Sequence, residues 1–208
     1  MTPPPTRAEK ARLTRGRMVE AATGLFTERG WARTTVEDIA RTAGVGVQTV
    51  YFTFGTKRAL LKEVLDTAVA GDGDPLATLD RPWARAVLAE PDPAAQLALQ
   101  AGGARRILQR AAPVLEVVRG AAAADPELAG LWRANLRQRH AVQERFARAL
   151  VDKAPSGLRE GHDARSAADV ATALLGPESW GLMVGELEWS ARRWEDWAAD
   201  GLVRQLLP

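Results

Sequence analysis

The sequence predicts an all-α fold, and three observations predict it. Apolar residues recur at three- and four-residue spacing along nearly the whole chain; Ala, Leu, Arg and Glu, all good helix formers, dominate; and no window shows the β-branched alternation of a strand. The 208 residues, 46% hydrophobic and 26% charged, suit one globular domain or a small domain joined to a larger one, and exclude a collagen, a mucin-like stalk or a wholly disordered chain.

The elements follow in chain order. Residues 1–10, with Pro3, Pro4 and Pro5, are expected to be extended or disordered, and residues 1–13 form a basic arm. Thr14 caps a first helix over 15–29 with an inner face of Met18, Ala21, Ala22, Leu25 and Phe26, and Gly30 supplies a left-handed stop. Thr34 and Thr35 offer N-cap hydroxyls to a short helix over 36–42, with Glu37 and Asp38 three residues on from each, and Gly44 ends it. Val47 to Phe54 makes two further turns before Gly55, and Thr56 caps a longer helix running to about Val69. After the linker Asp72-Gly73-Asp74-Pro75, helices are expected at about 75–89, 94–111, 113–123, 127–153, 164–175, 177–185 and 191–206. Prolines, Pro155-Ser156-Gly157 and Glu188-Trp189-Ser190 separate them, Pro113 marking either a break or a kink. The organisation expected is therefore an arm at 1–13, a head at 14–69 and a larger domain at 75–208.

Charge sharpens that division. The formal net charge is only +2, and the sequence pI of about 9.4 overstates basicity, because with no Cys, one Tyr, two His and four Lys almost nothing titrates between neutrality and pH ~10. Residues 1–66 hold eleven Lys/Arg and seven Asp/Glu, a net of +4, and the remainder is acidic by two. Arg7, Lys10, Arg12, Arg15 and Arg17 stand against Glu9 alone, a pattern suited to a polyanion. The absence of cysteine removes disulfides, thiolate nucleophiles and Cys-ligated metal sites. With no apolar leader at the start and no stretch near the ~18 apolar residues of a membrane span, the expected compartment is the cytoplasm and no membrane partner is expected.

Two short helices joined by the turn Ala43-Gly44-Val45-Gly46 make a helix-turn-helix. In the second helix Val50 and Phe54 would face the core with Ile39 and Val45, leaving Val47, Gln48, Thr49, Tyr51, Phe52 and Thr53 outward. An amide for base edges, hydroxyls for phosphates and apolar groups for thymine methyls are what a helix in the major groove presents.

Residues 14–69 thereby resemble the N-terminal DNA-binding domain of the TetR family of transcriptional regulators. The family pattern T-T-V-x-x-I-A, then G-V-S-x-x-T-L-Y-x-(H/Y)-F-x-(S/N)-K-x-x-L, reads here Thr34-Thr35-Val36-Glu37-Asp38-Ile39-Ala40, then GVGVQTVYFTFGTKRALL from Gly44. The resemblance implies that Thr35 and Thr49 contact phosphate, that Tyr51 sits at the DNA surface, that Lys57 grips the backbone, and that Gln48 and Phe52 set operator choice. Gly46 replaces the usual Ser, costing a few tenths of a kcal/mol as an N-cap, and Thr53 replaces the usual His or Tyr, removing one phosphate contact. The closing segment from Ser166, SAADVATALLGPESWGLMVGELEWSARRWEDWAADGLVRQLLP, also resembles that of many TetR regulators. By that resemblance helices 164–175 and 191–206 pair with their symmetry mates in a four-helix bundle, with Val170, Leu174, Trp194, Trp197 and Leu202 as interface candidates. Read from the residues alone, the stripe Trp194, Trp197, Ala198, Gly201, Leu202, Leu206 is either intramolecular core or interface.

Residues 75–153 are expected to hold a small-molecule site, mostly apolar with a few placed polar groups. In helix 127–153 the buried face is Leu128, Leu131, Trp132, Leu136, Val142, Phe146 and Leu150, with Asn135, Arg139 and Gln143 on or beside it; Gln100 lies similarly near Leu97, Ala104 and Leu108. Trp83, Trp132, Trp180 and Met183 either line an aromatic pocket or fill core. His140 and His162 lack partners at metal-ligand spacing, Gly44-x-Gly46-x-x-Thr49 lacks the third glycine and preceding strand of a dinucleotide fingerprint, and no nucleophile–base pair or phosphate loop marks an enzyme or a cofactor site. The expectation is a homodimeric, ligand-responsive regulator on a palindromic double-stranded operator, most simply a repressor. An activator, or a helical ligand-binding protein with a vestigial head, are the alternatives.

Overall fold

In the computed structural model, residues 6–71, 76–154 and 157–208 are described, and every regular element among them is helical. The elements are α1 (Arg7–Arg33), α2 (Val36–Ala43), α3 (Val47–Phe54), α4 (Lys57–Ala70), α5 (Pro82–Ala89), α6 (Pro93–Ala122), α7 (Pro126–Lys153), α8 (Ala164–Leu174), α9 (Pro177–Trp180) and α10 (Ala191–Leu206). They form two compact units, one of residues up to Ala68 with Pro113–Trp132, the other of Val69–Ala112 with Arg133–Pro208, so α6 and α7 each give residues to both. The expected linker 72–75, the prolines Pro3 to Pro5, and Pro155 with Ser156 lie outside the described residues.

In the first unit, α1 starts seven residues before the expected cap at Thr14, so residues 7–13 are helical rather than a disordered arm. The reason is a capping box: Thr6 Oγ1 accepts from the Glu9 amide (3.2 Å) while Glu9 Oε2 accepts from the Thr6 amide (2.6 Å), satisfying donors that would otherwise fray. Gly30 leaves the helical region (φ 77, ψ 173) and bends the chain before a last turn to Arg33. Buried Thr34 stitches that bend, its hydroxyl reaching the carbonyls of Leu25 (3.0 Å) and Gly30 (2.9 Å). Thr35 caps α2 through the Asp38 amide, and Gly44 (φ 66) closes it in the left-handed conformation. The core unites the predicted α1 face of Met18, Ala22, Leu25 and Phe26 with Ile39, Val50, Leu60, Leu61, Val64 and Leu65, all buried.

In the second unit the expected helix 75–89 is a 3-10 turn (Thr78–Asp80) followed by α5, with Pro82 suited to a new first turn. Helices expected at 94–111 and 113–123 are one, α6, running through Pro113, which removes one backbone donor without ending the helix. The expected helix 177–185 is the single turn α9, continued as a π-helical turn over Gly181–Glu186. That turn closes with Trp189 N–H donating to the Met183 carbonyl (2.9 Å), and Ser190 then caps α10 through Arg193 N–H (3.2 Å). Trp194, fully buried, meets Trp180 edge-on at 5.0 Å, and its Nε1–H reaches Ser179 Oγ at 3.3 Å. Trp83 lies edge-on to Phe146 at 5.9 Å beside Ala84 and Val87.

Candidate nucleic-acid interface

Helix α3 is seated by one side chain and one turn. Val50 is its buried residue; Val45 N–H donates to the Ala40 carbonyl (3.0 Å), tying the turn back onto α2; and Gly46 caps α3 with no side-chain hydrogen bond, as its replacement of Ser implies. Of the expected core partners Ile39 is fully buried, whereas Val45 and Phe54 are half-buried. Phe54 lies under the Arg15 guanidinium, 4.6 Å from its ring centroid, and Arg15 is held there by Glu63 at 2.9 Å. With Val50 inward, the opposite side of α3 is left to solvent: Gln48 and Thr49 are exposed, Tyr51 is 43% exposed and Phe52 94%. Val47 and Thr53 are half-buried at its edges, and the Thr53 hydroxyl donates to the Thr49 carbonyl (2.7 Å).

Thr35, the cap of α2, and Lys57, the first residue of α4, each have a structural partner. Exposed Thr35 donates to Asp38 Oδ2 (2.9 Å) while capping α2, and with Arg41, which also meets Asp38, it holds the Asp38 carboxyl below its ordinary pKa. The Lys57 ammonium donates to the Trp31 carbonyl (2.6 Å) and lies 4.0 Å from the centroid of the Trp31 ring. Burial there, with neighbouring Arg58 adding to it, lowers the lysine's pKa. Trp31 is itself stacked on Phe26 at 5.7 Å, directly after the Gly30 bend. Sequence reasoning missed Trp31; an aromatic residue placed right after a helix-stopping glycine was the available signal. Arg58 pairs with Asp125 (2.9 Å) and Glu127 (3.5 Å), and Asp125 accepts from the Glu127 amide at 3.0 Å, so one carboxylate both starts α7 and holds α4. Arg7, Lys10, Arg12 and Arg17 are exposed along α1.

In the second unit the candidate pocket residues are mostly engaged with neighbours. Buried Gln100 donates from Nε2 to Gln143 Oε1 (2.5 Å), and buried Asn135 accepts from Arg139 Nε (3.0 Å). Arg139 also faces Glu178 at 3.6 Å, and burial lowers its guanidinium pKa against the pull of that carboxylate. Trp83 and Trp180 take part in the ring contacts described above, Met183 is half-buried, and Trp132 is half-buried and falls in the first unit. Leu136, expected inward, is 40% exposed because Asn135, one residue earlier, occupies the inward position of the stripe. Sequence reasoning also missed Gln96, fully buried, which donates to the Phe146 carbonyl (3.1 Å) and accepts from Lys153 Nζ (3.0 Å). Of the interface candidates, Trp194 and Leu202 expose no surface and serve the core of their own chain, whereas Val170, Leu174 and Trp197 are half-buried. Trp197 lies edge-on to Trp189 at 6.2 Å.

Two short helices seated on a third, with a fourth running from their end, make the arrangement of a helix-turn-helix head. Residues 18–64 match the family model described as bacterial regulatory proteins, tetR family. Over these residues the head is similar to that of the TetR family. It is 44% identical over 59 residues to the HTH-type transcriptional regulator TtgR of Pseudomonas putida, and 40% over 68 residues to the HTH-type transcriptional repressor KstR2 of Rhodococcus jostii. Those matches span 28% of this chain and of TtgR, and 31% of this chain and 32% of KstR2, so the chain matches less than a third of each curated relative. The whole fold is shared with the secondary repressor NalD of Pseudomonas aeruginosa, at TM-score 0.68 and 22% identity over 96% of this chain and 98% of that one. It is shared equally with a TetR transcription regulator from Haloarcula marismortui, at TM-score 0.69 and 16% identity over 93% and 98%. Among the described residues no helix is long and apolar enough to cross a membrane.

Proposed function

We propose that this protein is a transcriptional repressor that binds a palindromic operator as a homodimer and releases it when a small molecule enters the second unit. The observation that carries the reading is the open side of α3, where Gln48, Thr49, Tyr51 and Phe52 face solvent on a helix anchored by buried Val50. Exposed aromatic side chains on a short, rigidly seated helix suit a partner in the major groove. Basic residues along α1 and Lys57 supply the electrostatic, sequence-independent part of binding, with Thr35 and Thr49 as further phosphate contacts. The names of KstR2 and NalD, both repressors, support repression over activation.

A single head offers one short reader, so a two-fold dimer reading two half-sites about one turn apart, or a multiple of it, is the economical assembly. Val170, Leu174 and Trp197 on α8 and α10 have surface left to give to such a dimer. For the effector, the buried amides of Gln100 and Asn135 with half-buried Arg139 suit a small molecule that competes for their present hydrogen bonds. Release requires that the ligand bind better to the state whose α3 helices are wrongly spaced. The Arg58–Asp125 pair, joining α4 to the α6–α7 turn, is the proposed lever within the head. The test is an electrophoretic mobility shift and footprint on the DNA upstream of the protein's own gene. A protected palindrome is expected, and no shift there or on randomised duplex at low salt overturns the reading.

A further inference from the structure

Helix α3 carries no charged side chain: from Val47 it reads VQTVYFTF. Guanine is most often read by a bidentate Arg or Lys on its O6 and N7, and this helix has neither to offer. Of the cations on the neighbouring helices, Arg15 pairs with Glu63, Arg41 with Asp38 and Arg58 with Asp125, while Lys57, seated on Trp31, and exposed Arg17, on α1 beside Gly44, lie off α3 and are assigned to the phosphate backbone. The Thr53 hydroxyl is spent on the Thr49 carbonyl. Besides Thr49 and Tyr51, which the reading above gives to the phosphates and the DNA surface, the open side of α3 presents the Gln48 amide and, one helical turn further, the almost fully exposed Phe52 ring.

An amide reads adenine through N6 and N7, and an apolar ring in the major groove finds one apolar group, the thymine C5-methyl. Side chains four apart on a helix lie about 5–6 Å apart, and the duplex rises about 3.4 Å per step, so the two contacts fall about two base pairs apart. We propose that α3 reads an A·T-rich half-site, with Gln48 on an adenine and Phe52 on the methyl of a thymine about two steps away. This rests on the DNA-binding reading above and adds to it the bases being read.

The experiment selects the full-length protein's preferred sites from randomised duplexes, then compares by fluorescence anisotropy the selected duplex with one carrying deoxyuracil for the thymine, a change of one methyl group. A·T pairs are expected at the positions under α3. Deoxyuracil should weaken binding about fourfold per half-site, one buried methyl's worth, and Phe52→Ala protein should bind both duplexes alike. G·C pairs at those positions, or equal binding of thymine and deoxyuracil duplexes by the unaltered protein, would overturn the proposal while leaving DNA binding intact. Selection that retains no duplex would overturn the DNA-binding reading and this inference with it.

Discussion

Replacing Lys57 by Ala removes one ammonium from each head, two from a dimer. Each phosphate neutralised contributes about 0.9 to the slope of log affinity against log salt, so the variant's slope should be flatter by about 1.8. Over a fourfold change in salt, from ~50 to ~200 mM, the gap between variant and parent should therefore shrink roughly twelvefold. The geometry at Trp31 explains how the lysine can serve two masters. Its ammonium has three donors; the Trp31 carbonyl takes one at 2.6 Å while the indole ring holds the chain from one side. The remaining donors can meet a phosphate without the lysine leaving its seat. Trp31→Ala should then weaken binding by about the 0.5–1.5 kcal/mol it takes to order a long side chain, with the slope unchanged. The assay is fluorescence anisotropy on the selected operator across that salt range, with Lys57→Arg as a charge-preserving control. A Lys57→Ala protein with the parental slope would refute the placement of Lys57 at the DNA backbone.

Four further outcomes are expected. A Cβ at Gly103 would press well inside van der Waals contact of the Trp83 ring, so Gly103→Ala sets an overpacking cost of about 1–3 kcal/mol against about 1 kcal/mol of helix propensity. Thermal unfolding should show a Tm no higher than the parent's, yet a rise of roughly 2–4 °C when the same change is made in a Trp83→Ala background; stabilisation in both backgrounds would show that the ring yields freely. Trp194→Ala, which empties a fully buried site, should cost about 3–5 kcal/mol at every protein concentration. Trp197→Ala should instead weaken dimerisation in sedimentation analysis, and an unaltered dimer would remove it from the interface. Thr35→Ala deletes the α2 cap and should cost about 1 kcal/mol, with Thr35→Ser restoring most of the Tm; equal stability of Ala and Ser variants would place the cap's contribution in the backbone alone.

The reading head could be drawn from sequence because its determinants are local. Thr35 meets the Asp38 amide three residues on, Gly44 turns the chain where it stands, and Val50 is the one α3 residue the core takes. What escaped the sequence reading was set by partners far away or by two local rules in conflict. Lys57 and Trp31 are 26 positions apart, and no spacing rule joins them. The proline-rich start and Thr14 drew attention from the Thr6–Glu9 box, which carries α1 back to Arg7. Apolar character alone put Leu136 inside, whereas the helical phase gave that place to Asn135, whose amide is satisfied by Arg139. Periodicity likewise could not separate Trp194 from Trp197, since core and interface ask the same spacing of a helix.

The Arg58–Asp125 pair bears on how such proteins can be recombined. A chimera that grafts this head at residue 70 onto a foreign body would leave behind Pro113–Trp132, and with it the carboxylate that Arg58 holds. A graft of the head therefore takes two pieces of chain, the first seventy residues and the α6–α7 turn, and one that carries both should keep the hold on α4 that a simple cut-and-paste would lose.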